Sequence, residues 1–452
     1  MKKFRQWFVP LYFAISLATL SCTTISSKAT DQGPLSQYCS PQQGAAFLPS
    51  YFAAKDIFIG LTGEASQNQI IRKILLTSAN LTPQPNITVL VPQIFLNPEY
   101  GQVAYIDRLS RTARSQVLVV PGEDSLWIQD YFEPLIDLGK DQVEIVEAPY
   151  DAQAEQILRT LTWSKKLDLV QRPVGFDIGE NGDSGGNIEP LASHLLGVGN
   201  NMNPRLVEHL KGLTHQNIIS LNTAWLEPGH VDELFMTVPS HTSSDQCHFS
   251  LIYASPKRAI DLLAASPPQK NQTLGLYDEV FESESEGRKD FRKCIHEIDW
   301  KTGTAKSSNC RAFLKANLEY HHLILTDLAK LEAELKKDPL CRFEGAVALP
   351  VLFSPFKVVK NFGTIADRGM ALNPNPVNGI SLGRSFLTSA QVFPAFQQDI
   401  ETSFKQLGLN YLPTKADHLF SLRGGIHCAS NIVRSCQQYS HQTTPKADAP
   451  KP

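Results

Sequence analysis

One kind of local pattern recurs along most of this chain: a short apolar run that ends in a turn, followed by a stretch with helical spacing. The runs are "NITVLVPQ", "SQVLVVPG", "QVEIVEAP", "HLLGVGNN", "ELFMTVPS" and "SLIYASP". Each is too short for a helix, and we expect each to be a buried strand. Helical spacing is expected at residues 66–78, 151–162, 203–211 and 393–407. The clearest amphipathic helix covers 321–337, with Leu323, Leu328, Leu331 and Leu335 along one face. Strands that alternate with helices point to an α/β or α+β fold. No strict sequence repeat is visible, although degenerate repeats of a βαβ-type unit are compatible with the pattern.

The 452 residues leave room for one large domain or two ordinary ones. Apolar residues make up 42% and charged residues 19%, a balance that supports a packed core. A formal net charge of −3 gives no electrostatic footprint for nucleic acid.

Lys2, Lys3 and Arg5 form a basic start, and "WFVPLYFAISLATL" follows as an apolar core of about 14 residues, too short to span a bilayer. We expect residues 1–21 to be a cleaved export signal. Its end, "TLSC", resembles a bacterial lipoprotein signal, in which Cys22 would carry lipid; Thr19 stands where such signals usually have an aliphatic residue. The expected location is therefore exported: periplasmic, outer-membrane lipoprotein or secreted. A lipid on Cys22 is the one membrane attachment expected. Residues 22–45 read as a flexible spacer, and the polar, Pro-rich tail 437–452 as disordered.

Export changes how the eight cysteines read, because an oxidising compartment pairs most of them. Cys294 and Cys310 flank a polar segment and are the local pair expected. "EVFESESEGRKDFRKC" before them looks like a surface excursion.

Three stretches stand out for chemistry. In "DSLWIQDYFEP" an apolar run ends in Trp127, Gln129 and Asp130, with Glu133 three further on; its plain reading is a strand that runs into a turn. In "WLEPGHVDELF" Pro-Gly makes a turn, and His230 and Asp232 share a face if the segment is extended. Gly229 suggests a close approach of backbone to something. In "SLRGGIHCASNIVR", "IHC" reads as a strand end, and Cys428 is open to three readings: half a disulfide, a metal ligand or a nucleophile. On a strand, His427 and Cys428 would point to opposite faces, so His427 is not expected to serve Cys428 as a base. A fourth stretch, "GDSGGNIEP", packs acidic and amide side chains into a Gly-rich turn of a kind that suits calcium.

Together the parts fit one chemistry. Asp130 and Asp232 would grip a planar guanidinium, with Trp127 stacked on its face. Cys428 would attack the central carbon, and His230 would move the protons.

The order Trp-Ile-Gln-Asp, Ser-x-Gly-Asn-x-Glu, Gly-His-Val-Asp-Glu, His-Cys-x-x-Asn-x-x-Arg resembles that of the peptidylarginine deiminases, within the guanidino-modifying (pentein) superfamily. "LIYASPKRAIDLL" and "NPNPVNGISLG" are weaker parts of the same likeness. The resemblance implies an α/β fold, a five-bladed αβ propeller with the active site on its central axis, formed here by residues 46–436 with a Cys-containing insertion around 280–315. It implies Asp130, His230, Asp232 and Cys428 as the catalytic set, with Trp127 beside the substrate. It also implies a calcium site from the side chains of Gln129, Glu133 and Glu189 and the carbonyls of Gly185 and Ile188. Tyr131 replaces an acidic calcium ligand of the family, so a second site beside it is not expected. About 100 residues separate the signal from the first motif, too few for the two immunoglobulin-like domains of the vertebrate enzymes.

The implied function is a calcium-linked protein-arginine deiminase acting on arginine in peptides or proteins. Three alternatives remain at this point. A deiminase of small guanidines, such as free arginine or agmatine, would need a group for the molecule's other end, and Arg423 and Arg434 are the candidates. An amidinotransferase would pass the same covalent intermediate to an amine. A non-enzyme would bind calcium on a deiminase-like scaffold. Oligomeric state is left open.

Overall fold

The computed structural model describes residues 44–436 apart from 113, 122–126, 141, 149–153, 166, 171–180, 241–246, 269–292, 360–364 and 423. All described residues fall in the compact unit Gly33–Pro452. In chain order, β1 (Ala45–Ala46), β2 (Ala53–Gly60), α1 (Ala65–Ser78), β3 (Asn86–Pro92), α2 (Val103–Ser110) and β4 (Ser115–Val120) come first. Then follow α3 (Ile128–Tyr131), β5 (Phe132–Asp137), β6 (Gln142–Glu147), α4 (Ala154–Lys165) and β7 (Asp168–Val170). Next are β8 (Ile188–Ala192), β9 (Leu195–Gly199), α5 (Pro204–Leu213), β10 (Asn217–Leu221), β11 (Phe235–Pro239), β12 (His248–Ser255) and α6 (Pro256–Ala265). The chain continues through α7 (Cys294–Glu297), β13 (Ile298–Asp299), β14 (Thr304–Ala305), α8 (Ser308–Leu335), β15 (Arg342–Pro350), β16 (Phe353–Val359) and β17 (Ile365–Ala371). It closes with β18 (Ile380–Leu382), β19 (Ser385–Ser389), α9 (Pro394–Gln406), β20 (Asn410–Thr414), α10 (Asp417–Ser421) and β21 (Ser430–Ser435).

Five of the sheets share one wiring. β5–β6, β8–β9, β11–β12 and β18–β19 pair antiparallel, and the second strand of each pairs parallel with β7, β10, β15 and β20. In the fifth sheet β21 pairs antiparallel with β2, which runs parallel to β3 and β4. Helices occupy each parallel crossover, as a parallel connection requires. This is the degenerate repeat that the sequence allows without displaying. The first strands β5, β8, β11, β18 and β21 are buried on nearly every residue, and several bury polar or charged side chains, among them Glu133, Glu189, Asn431 and Arg434.

The expected elements correspond closely. "NITVLVPQ" is β3, "SQVLVVPG" β4, "QVEIVEAP" β6, "HLLGVGNN" β9, "ELFMTVPS" β11 and "SLIYASP" the end of β12. The four helices end within a few residues of their expected bounds. The amphipathic helix is longer: α8 begins at Ser308, where the hydroxyl of Ser307 accepts from the Cys310 N–H and caps it.

One expectation needs correction. Ala45, placed in the spacer, pairs with Asp137 in a sheet, so the folded region starts before residue 46. The surface excursion expected at 279–294 lies outside the described residues up to 292. From Cys294 on, Ile295, Ile298, Trp300, Cys310 and Phe313 form a core of their own with Leu263, Leu352 and Phe396. Cys294 and Cys310 are bonded as expected, and Cys247–Cys341 ties the starts of the parallel neighbours β12 and β15. Cys22 and Arg423 lie outside the described residues. No helix among the described residues is long and apolar enough to cross a membrane.

Candidate active site

The chemistry-bearing residues sit just before the first strands of the five like-wired sheets. Asp130 precedes β5, Gly186 precedes β8, His230 and Asp232 precede β11, Asn378 precedes β18, and Cys428 precedes β21. Five short turns therefore converge, although they are scattered over the whole chain.

The first turn is α3. The Gln129 N–H donates to the Cys428 carbonyl at 3.1 Å, which pins this turn to the cysteine turn. "DSLWIQDYFEP" thus enters a helical turn before its strand, so the plain strand-into-turn reading has the order reversed. The Asp130 carboxylate accepts from the Gly186 N–H at 3.4 Å, and its Oδ1 lies 3.6 Å from His230 Nδ1. A Cβ on Gly186 would stand 2.6 Å from that imidazole nitrogen and 3.1 Å from that carboxylate oxygen.

His230 and Asp232 do not share an extended face. Val231–Glu233 is a 3-10 turn, which sends the two side chains to different partners. His230 Nε2 bonds with the Ser184 hydroxyl. Asp232 directs Oδ2 to His427 Nδ1–H at 2.9 Å and to the Cys428 thiol at 3.6 Å, while its buried Oδ1 has no hydrogen-bond partner. Gly229 has φ +74, and a Cβ there would collide with the Asn201 amide, so Asn201 is what the backbone approaches.

The cysteine turn also differs from its expected form. Residues 426–429 are a turn, and β21 starts at Ser430. The opposite-face rule therefore does not apply, and His427 and Cys428 both reach Asp232. Asn378 grips Cys428 from two sides. Its Nδ2–H donates to Sγ at 3.0 Å, and its Oδ1 accepts the Cys428 N–H at 3.2 Å. Neither His427 nor Asn378 was given a role from sequence; "NPNPVNGISLG" was the sole hint of Asn378. Cys428 is the free cysteine among the described residues, and Cys436 is itself disulfide-bonded, so the two do not pair.

Trp127 lies over Gly424, whose missing Cβ leaves room for the indole. Arg434 is buried, and its guanidinium donates to the carbonyls of Phe52 and Ser381 at 3.1 and 2.9 Å. It braces β18 and the residue that precedes β2, and this engagement counts against its expected use as a clamp for a small molecule.

Burial dominates the electrostatics. It pushes the Asp130 carboxyl up to about 6, with His230 working the other way and Asp232 adding to the rise. Glu233 is driven well above the carboxylate range by burial and by Asp232. Burial and then the charges of Asp232, Asp130 and Glu233 push the Cys428 thiol well above its usual range. Burial opposes a charged His427, but the Asp232 hydrogen bond and the charge of Glu189 outweigh it and hold His427 above its ordinary value. Burial thus raises the thiol and the Asp130 and Glu233 carboxyls together, so the site by itself disfavours negative charge on any of them.

The expected calcium donors lie next to this group. Gln129 donates to Glu133 through its amide, and Gly185 packs against the Gln129 carbonyl and Glu133. Burial and the charge of Glu189 push Glu133 well above its usual range; burial takes Glu189 to about 8 against the pull of His427. No group of three or more His, Cys, Asp or Glu suited to a metal occurs among the described residues. The expected set has only two carboxylates, but with an amide and carbonyls it is a hard-oxygen set of the kind calcium takes.

A solved structure assigned as an agmatine deiminase aligns with a TM-score of 0.50 at 10% identity, covering 87% of this chain and 97% of that one. The mixed α/β fold is shared with that structure. The family model for protein-arginine deiminase matches residues 74–440, and the chain belongs to that family. It is 22% identical to mouse protein-arginine deiminase type-4 over 387 residues, covering 78% of this chain and 54% of that protein. It is 23% identical to mouse protein-arginine deiminase type-1 over 361 residues, covering 73% and 49%. The chain spans about half the length of these curated relatives.

Proposed function

We propose that this chain is a protein-arginine deiminase that converts peptidyl arginine to citrulline and releases ammonia. The observation that carries this reading is the buried, unpaired Cys428 with its thiol 3.6 Å from Asp232, in a turn pinned to the one where Asp130 stands 3.6 Å from His230. Five like-wired sheets whose first strands all start at this site support a five-bladed propeller with the site on its axis.

In this reading Asp130 and the unpartnered Oδ1 of Asp232 accept the guanidinium N–H groups. The bound cation offsets the carboxylate charges that hold the thiol protonated, so the thiolate forms where the electrophile sits. The thiolate attacks the central carbon. The C–N bond breaks as His230 gives a proton to the departing ammonia, leaving an S-alkylthiouronium on Cys428. His230 then takes a proton from water, whose oxygen adds to the same carbon. The C–S bond breaks, which returns the thiolate and leaves a urea group.

Calcium is part of the proposal. Gln129, Glu133, Glu189, Gly185 and Ile188 would hold it, and its charge would supply the cation that Glu133 and Glu189 face. Export, with or without lipid on Cys22, is proposed on the N-terminal pattern alone. Arg434 is held by main-chain carbonyls, which favours a peptide substrate over a free amino acid.

The test measures citrulline and ammonia from a blocked arginine peptide, free arginine and agmatine, with calcium and with a chelator. We expect product from the peptide with calcium and none from Cys428→Ser, whose circular dichroism stays native. Turnover of free arginine or agmatine but not the peptide would replace this reading with small-guanidine deimination.

A further inference from the structure

The sheet that carries Cys428 has an uneven end. β21 runs antiparallel to β2, with Ser430 opposite Ile59, and the Gly60 N–H donates to the Ala429 carbonyl at 3.3 Å. The parallel strands β3 and β4 end beside it, at Pro92 and Val120. The connections that leave β2, β3 and β4 therefore open on the same end as the cysteine.

That end exposes apolar surface. Of the ten large apolar side chains exposed among the described residues, Leu96, Tyr100, Val103 and Val119 lie at the end of β4 or in the connection leaving β3, each 38–47% exposed. The exposed side chains and the site rest on one core. Tyr100 meets Phe95 edge-on at 5.9 Å, and Phe95 and Trp127 pack on one core cluster with Ile426 and Ala429. The connections leaving β2 and β3 are also acidic. Glu64 and Glu99 are exposed on them, while 56–71 and 87–107 contain no lysine or arginine.

We propose that this apolar, acidic ledge docks the polypeptide around the target arginine, selecting chains with an apolar or aromatic side chain beside that arginine. The inference rests on the deiminase reading above. A small guanidine held at Asp130 and Asp232 would not reach the ledge, an anionic membrane would be repelled by it, and a cationic chain matches both its charge and its apolar surface. Tyr100 is the expected anchor, as aromatic side chains usually are at such contacts.

The experiment compares the full chain with Leu96→Ser/Tyr100→Ser, two exposed sites whose change leaves the core intact. Substrates are a blocked single arginine, a decapeptide with Phe and Leu flanking arginine, and the same peptide with Ser in their place, all with calcium. We expect kcat/KM for the Phe/Leu peptide to fall about tenfold, with the blocked arginine and the Ser peptide within twofold of the parent. Equal losses on all three substrates, or no loss, overturn the ledge and leave the deiminase reading standing. No citrulline from any of them sinks that reading. The ledge is then judged by anisotropy of the labelled Phe/Leu peptide on Cys428→Ser, where equal affinity with and without the ledge changes overturns it. A change in sedimentation without a change in peptide kinetics would make the ledge a self-association face and equally overturn the proposal.

Discussion

Asn378→Ala tests how Cys428 is made reactive. Burial and three carboxylates hold the thiol protonated, and the Asn378 Nδ2–H at 3.0 Å from Sγ opposes them. A hydrogen bond to a charged partner is worth about 1.5–3 kcal/mol, and about 1.4 kcal/mol corresponds to one pKa unit. Removing it should raise the thiol by about one to two units and lower kcat/KM about 10- to 100-fold near neutral pH. The change also frees the Cys428 N–H, which Oδ1 accepts at 3.2 Å, so a stability cost of about 1–3 kcal/mol is expected. Asn378→Asp separates the two effects. It keeps the acceptor for that N–H but turns a carboxylate toward sulfur, so it should be more stable than the alanine variant and less active. The assay follows alkylation of Cys428 by iodoacetamide against pH, resolved by peptide mass spectrometry, beside steady-state kinetics. If Asn378→Ala leaves both the alkylation profile and kcat/KM within twofold of the parent, the electrostatic account of Cys428 is wrong.

Three further outcomes are expected. Gly186→Ala should cut turnover at least 100-fold while the melting temperature drops only slightly, because the added Cβ meets His230 at 2.6 Å and Asp130 at 3.1 Å; activity near the parent's would refute that geometry. Asp130 and Glu189 hold protons in the fold, up to about pH 6 and 8, that an unfolded chain has already lost, so their contribution is full below about pH 4 and is lost as pH rises through those values. In chelator the melting temperature should therefore fall between pH 5 and 8.5, and calcium should raise it more at pH 8.5 than at pH 5; a rise with pH in chelator contradicts this. Cys294→Ser/Cys310→Ser opens a bridge across a separation of 16 residues and should cost about 3 kcal/mol in urea unfolding, with turnover kept because the bridge packs in the insertion's own core.

What the sequence displayed and what it hid follow the range of the forces involved. Strands such as β3 and β11 are buried on both faces, so their apolar runs stood out, and the helices carried their spacing locally. The shared wiring was hidden because it is a property of pairing partners and not of any one segment. The sites divide in the same way. Asp130, Asp232 and Cys428 are legible through the combination and order of their motifs along the chain, although no one motif is specific alone. His427 was set aside on a period-two argument that holds only in a strand, and the turn at 426–429 voids it. His427 meets Asp232 across 195 residues, and Asn378 meets Cys428 across 50, so both contacts exist only after the like-wired sheets bring their first strands together. That arrangement also explains why the site tolerates its own electrostatic cost. A carboxylate pair and a thiol crowded on one loop would be relieved by a small backbone shift. Here Asp130, Asp232 and Cys428 each precede a buried strand of a different sheet, so separating them would mean unpairing a core strand. The charge held there is left for a bound cation to offset.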